Sequence, residues 1–413
     1  MRRGVASAAF AALLACACGQ TASTTGQELV LGAIYPLSGP QAQGGREELA
    51  GVRAALQVAE SSGALKTHVR LQVMDATTPQ AASAAVDTLV GKYHVPAIIG
   101  TYGSTLSASA SARAEQLKTV YWETGAVADP ITAQRRYVFR TVATGSSLGR
   151  MAVTFAHDVL MPRLNLSAPR VALVRVDDIY GRAVGGEEEA LATRLGMQVV
   201  DVIEYNPYAY DSEIIATRLA EDHADFLFDV SYLDDGVNIW RAILRDHVAV
   251  KAAIGTSSAF CMPAFSAMLG AGSIGVYAAD KPDEFISRAA LSPAGLALLT
   301  QATTAYAAAN GGAAMDIAAV AGFVGGWTLF HDVLAQVPGG ATPDAIRAAA
   351  LSVDVPVGDS INGGGVRFGV DGALDEGQNT RAAADISQWQ AVGVMRVLYP
   401  AAYANGVPIA LTS

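Results

Sequence analysis

The chain has 413 residues, a length that accommodates two domains. Its 28 Lys and Arg side chains face 38 Asp and Glu, a net charge of −10, which argues against nucleic acid as a partner. Three cysteines, Cys16, Cys18 and Cys261, do not make a disulfide framework.

At the N-terminus, Arg2 and Arg3 precede an uncharged Ala/Leu-rich stretch from Gly4 to Ala15, the layout of a secretory signal. It is shorter than the roughly 20 apolar residues that span a bilayer. Leu13-Leu14-Ala15 leads directly into Cys16, and Ala17-Cys18-Gly19 offers a second register. Residues 1–18 are therefore expected to be a lipoprotein signal that ends in acylation of Cys16 or Cys18. Residues 19–27 (GQTASTTGQ) are small, polar and uncharged, the composition of a flexible tether.

From Glu28 onward, short apolar runs alternate with Ala-rich stretches of helical character. This pattern predicts parallel sheets covered by helices on both faces. Strands are expected at Leu29–Tyr35, Val69–Met74, Ala97–Thr101, Thr119–Trp122 and Tyr137–Val142. A second series comes after these, at Arg170–Val174, Met197–Ile203, Phe226–Val230 and Ala252–Ile254. Helices are expected between them, at Glu48–Ala59, Pro79–Val90, Leu148–Leu160, Glu187–Leu195, Ser212–Leu219 and Gly236–Leu244. Two series of similar length point to two α/β lobes. Later come a strand at Ile274–Ala279, helices at Ala294–Ala309, Met315–Ala335 and Pro343–Ala350, a Gly-rich hairpin region at Gly363–Gly372, and strands at Ile386–Gln390 and Val394–Leu398. The apolar run Ile317–Phe330 contains three glycines and reads as a buried core helix.

Ligands of open parallel sheets sit beyond the carboxyl ends of the strands. There the sequence places Pro36-Leu37-Ser38-Gly39-Pro40, Tyr102-Gly103-Ser104-Thr105 and Glu123-Thr124-Gly125-Ala126 after the first series. Asp177-Asp178-Ile179-Tyr180-Gly181, Ser231-Tyr232-Leu233-Asp234 and Gly255-Thr256-Ser257-Ser258 come after the second. Ser38 also suits a turn, Ser104 and Thr105 suit helix caps, and Glu123 suits pocket or surface equally.

The order of Gly32-Ala33-Ile34-Tyr35-Pro36-Leu37-Ser38-Gly39-Pro40, Ile98-Ile99-Gly100-Thr101, Tyr137-Val138-Phe139-Arg140-Thr141 and Asp177-Asp178-Ile179-Tyr180-Gly181 resembles the leucine/isoleucine/valine-binding family of ABC-importer solute receptors. The resemblance implies a type I periplasmic-binding fold, with two Rossmann-like lobes joined by three crossovers near Thr141, Ala278 and Ala384. Lobe 1 would hold residues 28–141 plus 279–383, and lobe 2 residues 142–278 plus 384–413. It also implies a small-molecule ligand, an amino acid or a related carboxylate or amide, and a membrane permease with a cytoplasmic ATPase as partner; no cofactor is expected.

By the same resemblance, Ser104, Thr105, Gly125 and Ala126 would hold a ligand carboxylate. Tyr180 and Tyr232 would close from the second lobe, and the strand-end positions of Ser38 and Tyr102 add them to the first lobe's lining. Two departures stand out. Val127 occupies a place where a threonine is usual, and Thr124 could replace its hydroxyl. Ser257 stands where an acid usually pairs with a ligand ammonium. Either Glu123, Asp177 or Asp178 supplies that charge, or the ligand is not an α-amino acid but a carboxylate, amide or aromatic acid gripped by hydroxyls and tyrosines.

Two rival readings stand: a lipid-anchored sensor that binds solute but signals instead of delivering it, which sequence does not separate from transport, and a secreted serine hydrolase. Gly145-Ser146-Ser147-Leu148-Gly149 fits GxSxG, with Ser147 as nucleophile. His223, His247 and His331 lie downstream, but none in a telling motif, and Ser146 or Ser147 suits a helix cap as well. The six histidines show no metal-ligand spacing, and no GxxxxGK[ST] loop is present.

Overall fold

A computed structural model of the protein describes residue 1 and residues 28–337 and 340–411. The stretch expected to be a lipoprotein signal and tether, with Cys16 and Cys18, lies outside the described residues apart from Met1. Five parallel strands form the first sheet: β1 (Leu29–Tyr35), β2 (Val69–Asp75), β3 (Ala97–Gly100), β4 (Val120–Glu123) and β5 (Val138–Arg140), in the order β2-β1-β3-β4-β5. Around them pack α1 (Ala42–Ser61), α2 (Pro79–Tyr93) and α3 (Ser104–Gln116).

The chain then passes to α4 (Gly145–Phe155), α5 (Met161–Leu164) and β6 (Arg170–Val176). Next come α6 (Ile179–Arg194), β7 (Gln198–Tyr205), α7 (Ser212–Asp222), β8 (Phe226–Val230) and α8 (Leu233–Arg245). After them are β9 (Ala252–Thr256), α9 (Ser257–Phe260), α10 (Pro263–Leu269) and β10 (Tyr277–Asp280). Helices α11 (Pro293–Ala309), α12 (Ile317–Trp327) and α13 (Pro343–Leu351) return to the first sheet's core. The chain ends on β11 (Asp385–Ala391) and β12 (Val394–Tyr399). The second sheet runs β12-β11-β10-β9-β8-β6-β7, with β11 and β12 antiparallel to their neighbours.

Local chemistry sets these boundaries. Thr78 Oγ1 accepts the Ala81 N–H and Pro79 opens α2. Asp316 caps α12 by accepting the Ala319 N–H at 2.8 Å. Strands β1, β3, β4, β8 and β9 are almost wholly buried, as apolar parallel strands covered on both faces must be. The helical stretch Ile317–Gln336 is long and apolar enough to cross a membrane, yet 83% of its most apolar window is inside the protein, packed on α1.

Three differences from the sequence expectations have simple causes. Helices α1 and α6 start six and eight residues earlier than Glu48 and Glu187, because Gln41 onward and Ile179 onward already come after a turn and an Asp178 cap. The second sheet keeps the chain to Asp280, since Ala279 and Asp280 pair with Ile386 and Asp385. The Gly363–Gly372 region is no hairpin. It makes isolated bridges, Val355 with Val366, Phe368 with Asn379 and Gly369 with Glu376, and lies against β5 through Arg140 and Gln378. Arg140, fully buried, donates to Gln378 Oε1 at 2.6 Å and to the Ala128 carbonyl at 2.6 Å. Burial pulls its guanidinium down to about 10.

In both sheets the strand order reverses beside the first strand of the series, at β1/β3 and at β6/β8. The carboxyl ends at these two points face one another across a cleft, where a ligand of such sheets binds.

Candidate functional site

Between the two sets of strand ends lies a cavity of about 430 Å³. Ser38, Thr77 and Thr105 line it from the first sheet. Asp178, Tyr210 and Tyr232 are among those lining it from the second. Asp178 is the junction. Its Oδ1 accepts the N–H groups of Tyr180 and Gly181 at 2.8 and 2.9 Å, capping α6. Its Oδ2 accepts the Tyr232 hydroxyl at 2.7 Å and, across the cleft, the Thr105 hydroxyl at 3.1 Å.

Tyr232 packs on Tyr180 with ring centroids 5.3 Å apart. Tyr180 is buried and donates to the Thr256 carbonyl at 3.1 Å. Burial pushes both phenols well above their usual range, and the Asp178 carboxylate adds to the effect at Tyr232. Tyr102 also spans the cleft. Its ring lies over Gly44, where a Cβ would come within 2.3 Å of it, and its hydroxyl reaches Met262 Sδ at 3.8 Å.

Glu123 is fully buried, neither in the cavity lining nor on the surface. Its Oε1 accepts the N–H groups of Gly125 and Ala126 at 2.8 and 2.7 Å. Its Oε2 accepts from the Thr101 N–H at 3.1 Å, and also from Ser107 and Tyr121. Burial pushes this carboxyl up to about 7 against the pull of those bonds. The N–H pair assigned by resemblance to a ligand carboxylate is thus held by the protein's own. Thr124 does not replace the missing threonine hydroxyl, because it faces inward to Glu48 and the Tyr35 hydroxyl.

The Ser257 corner holds a cation. Lys281 is buried, pairs with Asp280 at 2.9 Å and reaches Ser257 Oγ at 3.4 Å. Ser257 itself is buried with φ of 32°.

The remaining residues divide between the cleft and the scaffold. Ser38 is exposed, lines the cavity and donates to Asp75 Oδ2 at 2.6 Å. Ser104 is buried and accepts the Ala128 N–H at 3.2 Å, so it braces a loop instead of capping α3. Neither Ser146 nor Ser147 caps α4. Thr144 does, accepting the Ser147 N–H at 3.1 Å, while its Oγ1 lies 2.8 Å from Ser147 Oγ. Ser147 therefore sits on regular helix bonded to a threonine, where a nucleophile elbow needs a strained turn and a histidine.

Sequence reasoning missed Asn206-Pro207-Tyr208-Ala209-Tyr210, three of whose side chains and a proline line the cavity. The expected strand stops at Ile203, whereas β7 continues to Tyr205. With that boundary the segment stands at the carboxyl end of a strand like the other cleft loops, and its position was the signal that could have found it. Gln41 and Asp235, also in the lining, obey the same logic near the starts of α1 and α8.

Residues 28–389 match the model of a family described as periplasmic binding protein. A curated relative, Leu/Ile/Val-binding protein homolog 8 of Brucella abortus, is 29% identical over 378 residues, 90% of this chain and 91% of its own. The solved leucine binding protein LivK of Thermotoga maritima superposes with a TM-score of 0.76 at 17% identity, covering 90% of this chain and 97% of that one. The branched-chain amino acid transporter substrate binding protein LivJ of Streptococcus pneumoniae, solved with isoleucine, gives 0.74 at 17%, covering 91% and 100%. The chain belongs to the periplasmic binding protein family, and its fold is the type I fold of that family.

Proposed function

We propose that this protein is a lipid-anchored extracytoplasmic receptor that captures a small solute between two closing lobes and presents it to an ABC importer. The lobes are residues 28–141 plus 281–383 and residues 142–280 plus 384–411, the second boundary following the pairing of Ala279 and Asp280 with Ile386 and Asp385. The observation that carries the reading is the cavity at the facing strand ends, bridged by the Thr105–Asp178 hydrogen bond. A solute in the cleft touches both sheets at once, so it favours the closed arrangement over the open one by the contacts that only closure completes. Ser38, Thr105 and Tyr232 line that cavity, and Tyr102 and Tyr180 fix the walls around it. Acylation at Cys16 or Cys18 and the 19–27 tether would hold the receptor beside a membrane permease whose cytoplasmic ATPase supplies the energy. The names of the relatives favour an amino acid or a related small carboxylate or amide.

The test is a solute screen on the purified protein by thermal shift, with mass spectrometry of anything released on denaturation. A stabilising solute that compacts the protein in small-angle scattering supports the reading. Absence of any bound or binding solute, together with ester hydrolysis lost in Ser147→Ala, would replace it with the hydrolase. Metabolic labelling with a fatty acid, lost on substitution of Cys16 or Cys18, tests the anchor.

A further inference from the structure

We propose that Asp229, Ser231 and Tyr205 are positioning residues of the cleft: their hydrogen-bonded chain holds one carboxyl proton inside the second lobe and so presents Asp235 to the solute as an ionised acceptor. The proposal rests on the solute-binding reading above. Asp235 lines the cavity, whereas Asp229, Ser231 and Tyr205 do not and act only through it.

The chain follows from counting hydrogens. Asp229 Oδ1 bonds to Ser231 Oγ, Ser231 Oγ lies 2.7 Å from the Tyr205 hydroxyl, and that hydroxyl bonds to Asp235 Oδ2. Each of these three oxygen pairs is close enough to need a hydrogen between its members. The two hydroxyls supply one hydrogen each, and an ionised carboxylate supplies none. With both aspartates ionised, Ser231 would donate to Asp229 and Tyr205 to Asp235, which leaves the Ser231–Tyr205 pair as two facing lone pairs. A third hydrogen, carried by one of the two carboxyls, completes the chain and gives all its donors one direction.

The surroundings put that hydrogen on Asp229. Asp229 is buried on β8, and its Oδ2 has no hydrogen-bond partner among the described residues. Across from it on α6, Glu188 is buried as well, with neither oxygen bonded among the described residues. Arg175 of β6 acts on Glu188 but is already paired with Glu189 at 3.1 Å and Glu204 at 2.9 Å. Strand β9 carries no ionisable side chain. Asp235 stands instead in the first turn of α8, where backbone N–H groups favour negative charge, with Asp234, Tyr210 and Tyr232 around it. Burial accordingly pushes Asp229 up to about 8 and Asp235 only to about 6. The hydrogens then point from Asp229 to Ser231, from Ser231 to Tyr205 and from Tyr205 to Asp235, whose charge meets the cavity. The Tyr205 ring also packs on Tyr210 with centroids 5.3 Å apart, and Tyr210 lines the cavity, so the chain supports two lining side chains. A solute group set against this wall has to be an N–H or O–H donor, because a bare oxygen acceptor would face a carboxylate.

The experiment has two arms. Infrared spectra of the mature protein, isotope-labelled at the aspartate carboxyl, are recorded at pH 7. The expected result is a protonated carboxyl band that disappears in Asp229→Asn and persists in Asp235→Asn. A band lost in Asp235→Asn alone, or in neither variant, overturns the proposal. The second arm titrates L-leucine, benzamide and benzoate calorimetrically between pH 5 and pH 8. In Tyr205→Phe the tightest-binding probe is expected to lose about fivefold in affinity at pH 7. Its pH profile should also shift to higher pH, because Asp235 loses the bond that favours its charged form. Ser231→Ala interrupts the same chain if Tyr205→Phe does not fold. Unchanged affinity, or a loss uniform across pH, would make these residues mere scaffold and overturn the positioning while the receptor reading stands. If no probe binds, the infrared arm decides the chain. A proton found on Asp229 in a protein that binds no probe and releases no solute on denaturation would support the chain and remove the receptor reading.

Discussion

Glu123 Oε1 and the backbone N–H of Ala126 lie 2.7 Å apart, an internal carboxylate seated where a loop at a strand end offers paired donors. Replacing it by alanine leaves the N–H groups of Thr101, Gly125 and Ala126 without their buried acceptor. Each such loss costs about 1–3 kcal/mol. Glu123→Ala is therefore expected to lower thermal stability strongly, and formate, small enough to enter the vacated site, is expected to restore part of it. Formate should leave the parent protein's melting temperature unchanged. A variant as stable as the parent would mean that these donors find other partners.

The Thr105–Asp178 bond is the clearest polar tie across the cleft. Thr105→Val keeps the shape and removes the hydroxyl, so it withdraws about 1 kcal/mol from the closed form. Solute affinity is expected to fall about fivefold, by the same energy, with little change in the unliganded melting temperature. Asp178→Ala goes further. It also removes the α6 cap, worth about 1 kcal/mol, and strands the Tyr232 hydroxyl. Calorimetry of both variants separates closure from helix capping. Equal losses of melting temperature in the two would place Thr105 in the scaffold.

Burial raises several carboxyls well above their unfolded values: Glu47 and Asp229 to about 8, Glu123 to about 7 and Asp235 to about 6. The folded protein therefore binds more protons than the unfolded chain between roughly pH 4 and 8. Stability from these groups is fully present at the acid end of that window and is lost as pH rises through it. The melting temperature is expected to fall from pH 5 to pH 8. Asp229→Asn should reduce the slope by up to about 1.4 kcal/mol per pH unit, the limit for one proton. A profile that rises over this range would refute the assignment.

The layered α/β pattern was legible because buried parallel strands leave continuous apolar runs, as Leu29–Tyr35 does to the residue. The strand ends that face the cleft could be located from those runs. Less legible were features fixed by partners far along the chain. Nothing near Glu123 signals that it turns back on Gly125 and Ala126, because that depends on the turn after β4 and on Ser107 of α3. Lys281 reaches Ser257 because β10 lies beside β9, a pairing that sequence spacing does not reveal. The bridges around Gly369 and Gln378 likewise depend on Arg140, more than 200 residues earlier.

The α1–α12 contact gives a prediction free of the ligand. A Cβ on Gly51 would lie 2.0 Å from the Ala319 carbonyl oxygen, and one on Gly322 would lie 2.0 Å from that of Glu48. Both obstacles are helix backbone, which cannot step aside as a flexible side chain can. Alanine at either position gains about 1 kcal/mol of helix propensity, but forcing two packed helices apart costs about 1–3 kcal/mol or more. Since the two helices carry much of the first lobe's core, the clash should win, and Gly51→Ala and Gly322→Ala are expected to unfold at lower denaturant concentration. Gly186 is the control. It lies inside α6 with open space where its Cβ would go, so Gly186→Ala should stabilise by about 0.4–1 kcal/mol. Urea melts of the three variants read both signs at once, and a stabilised Gly51→Ala would show that α1 and α12 do not approach this closely in solution.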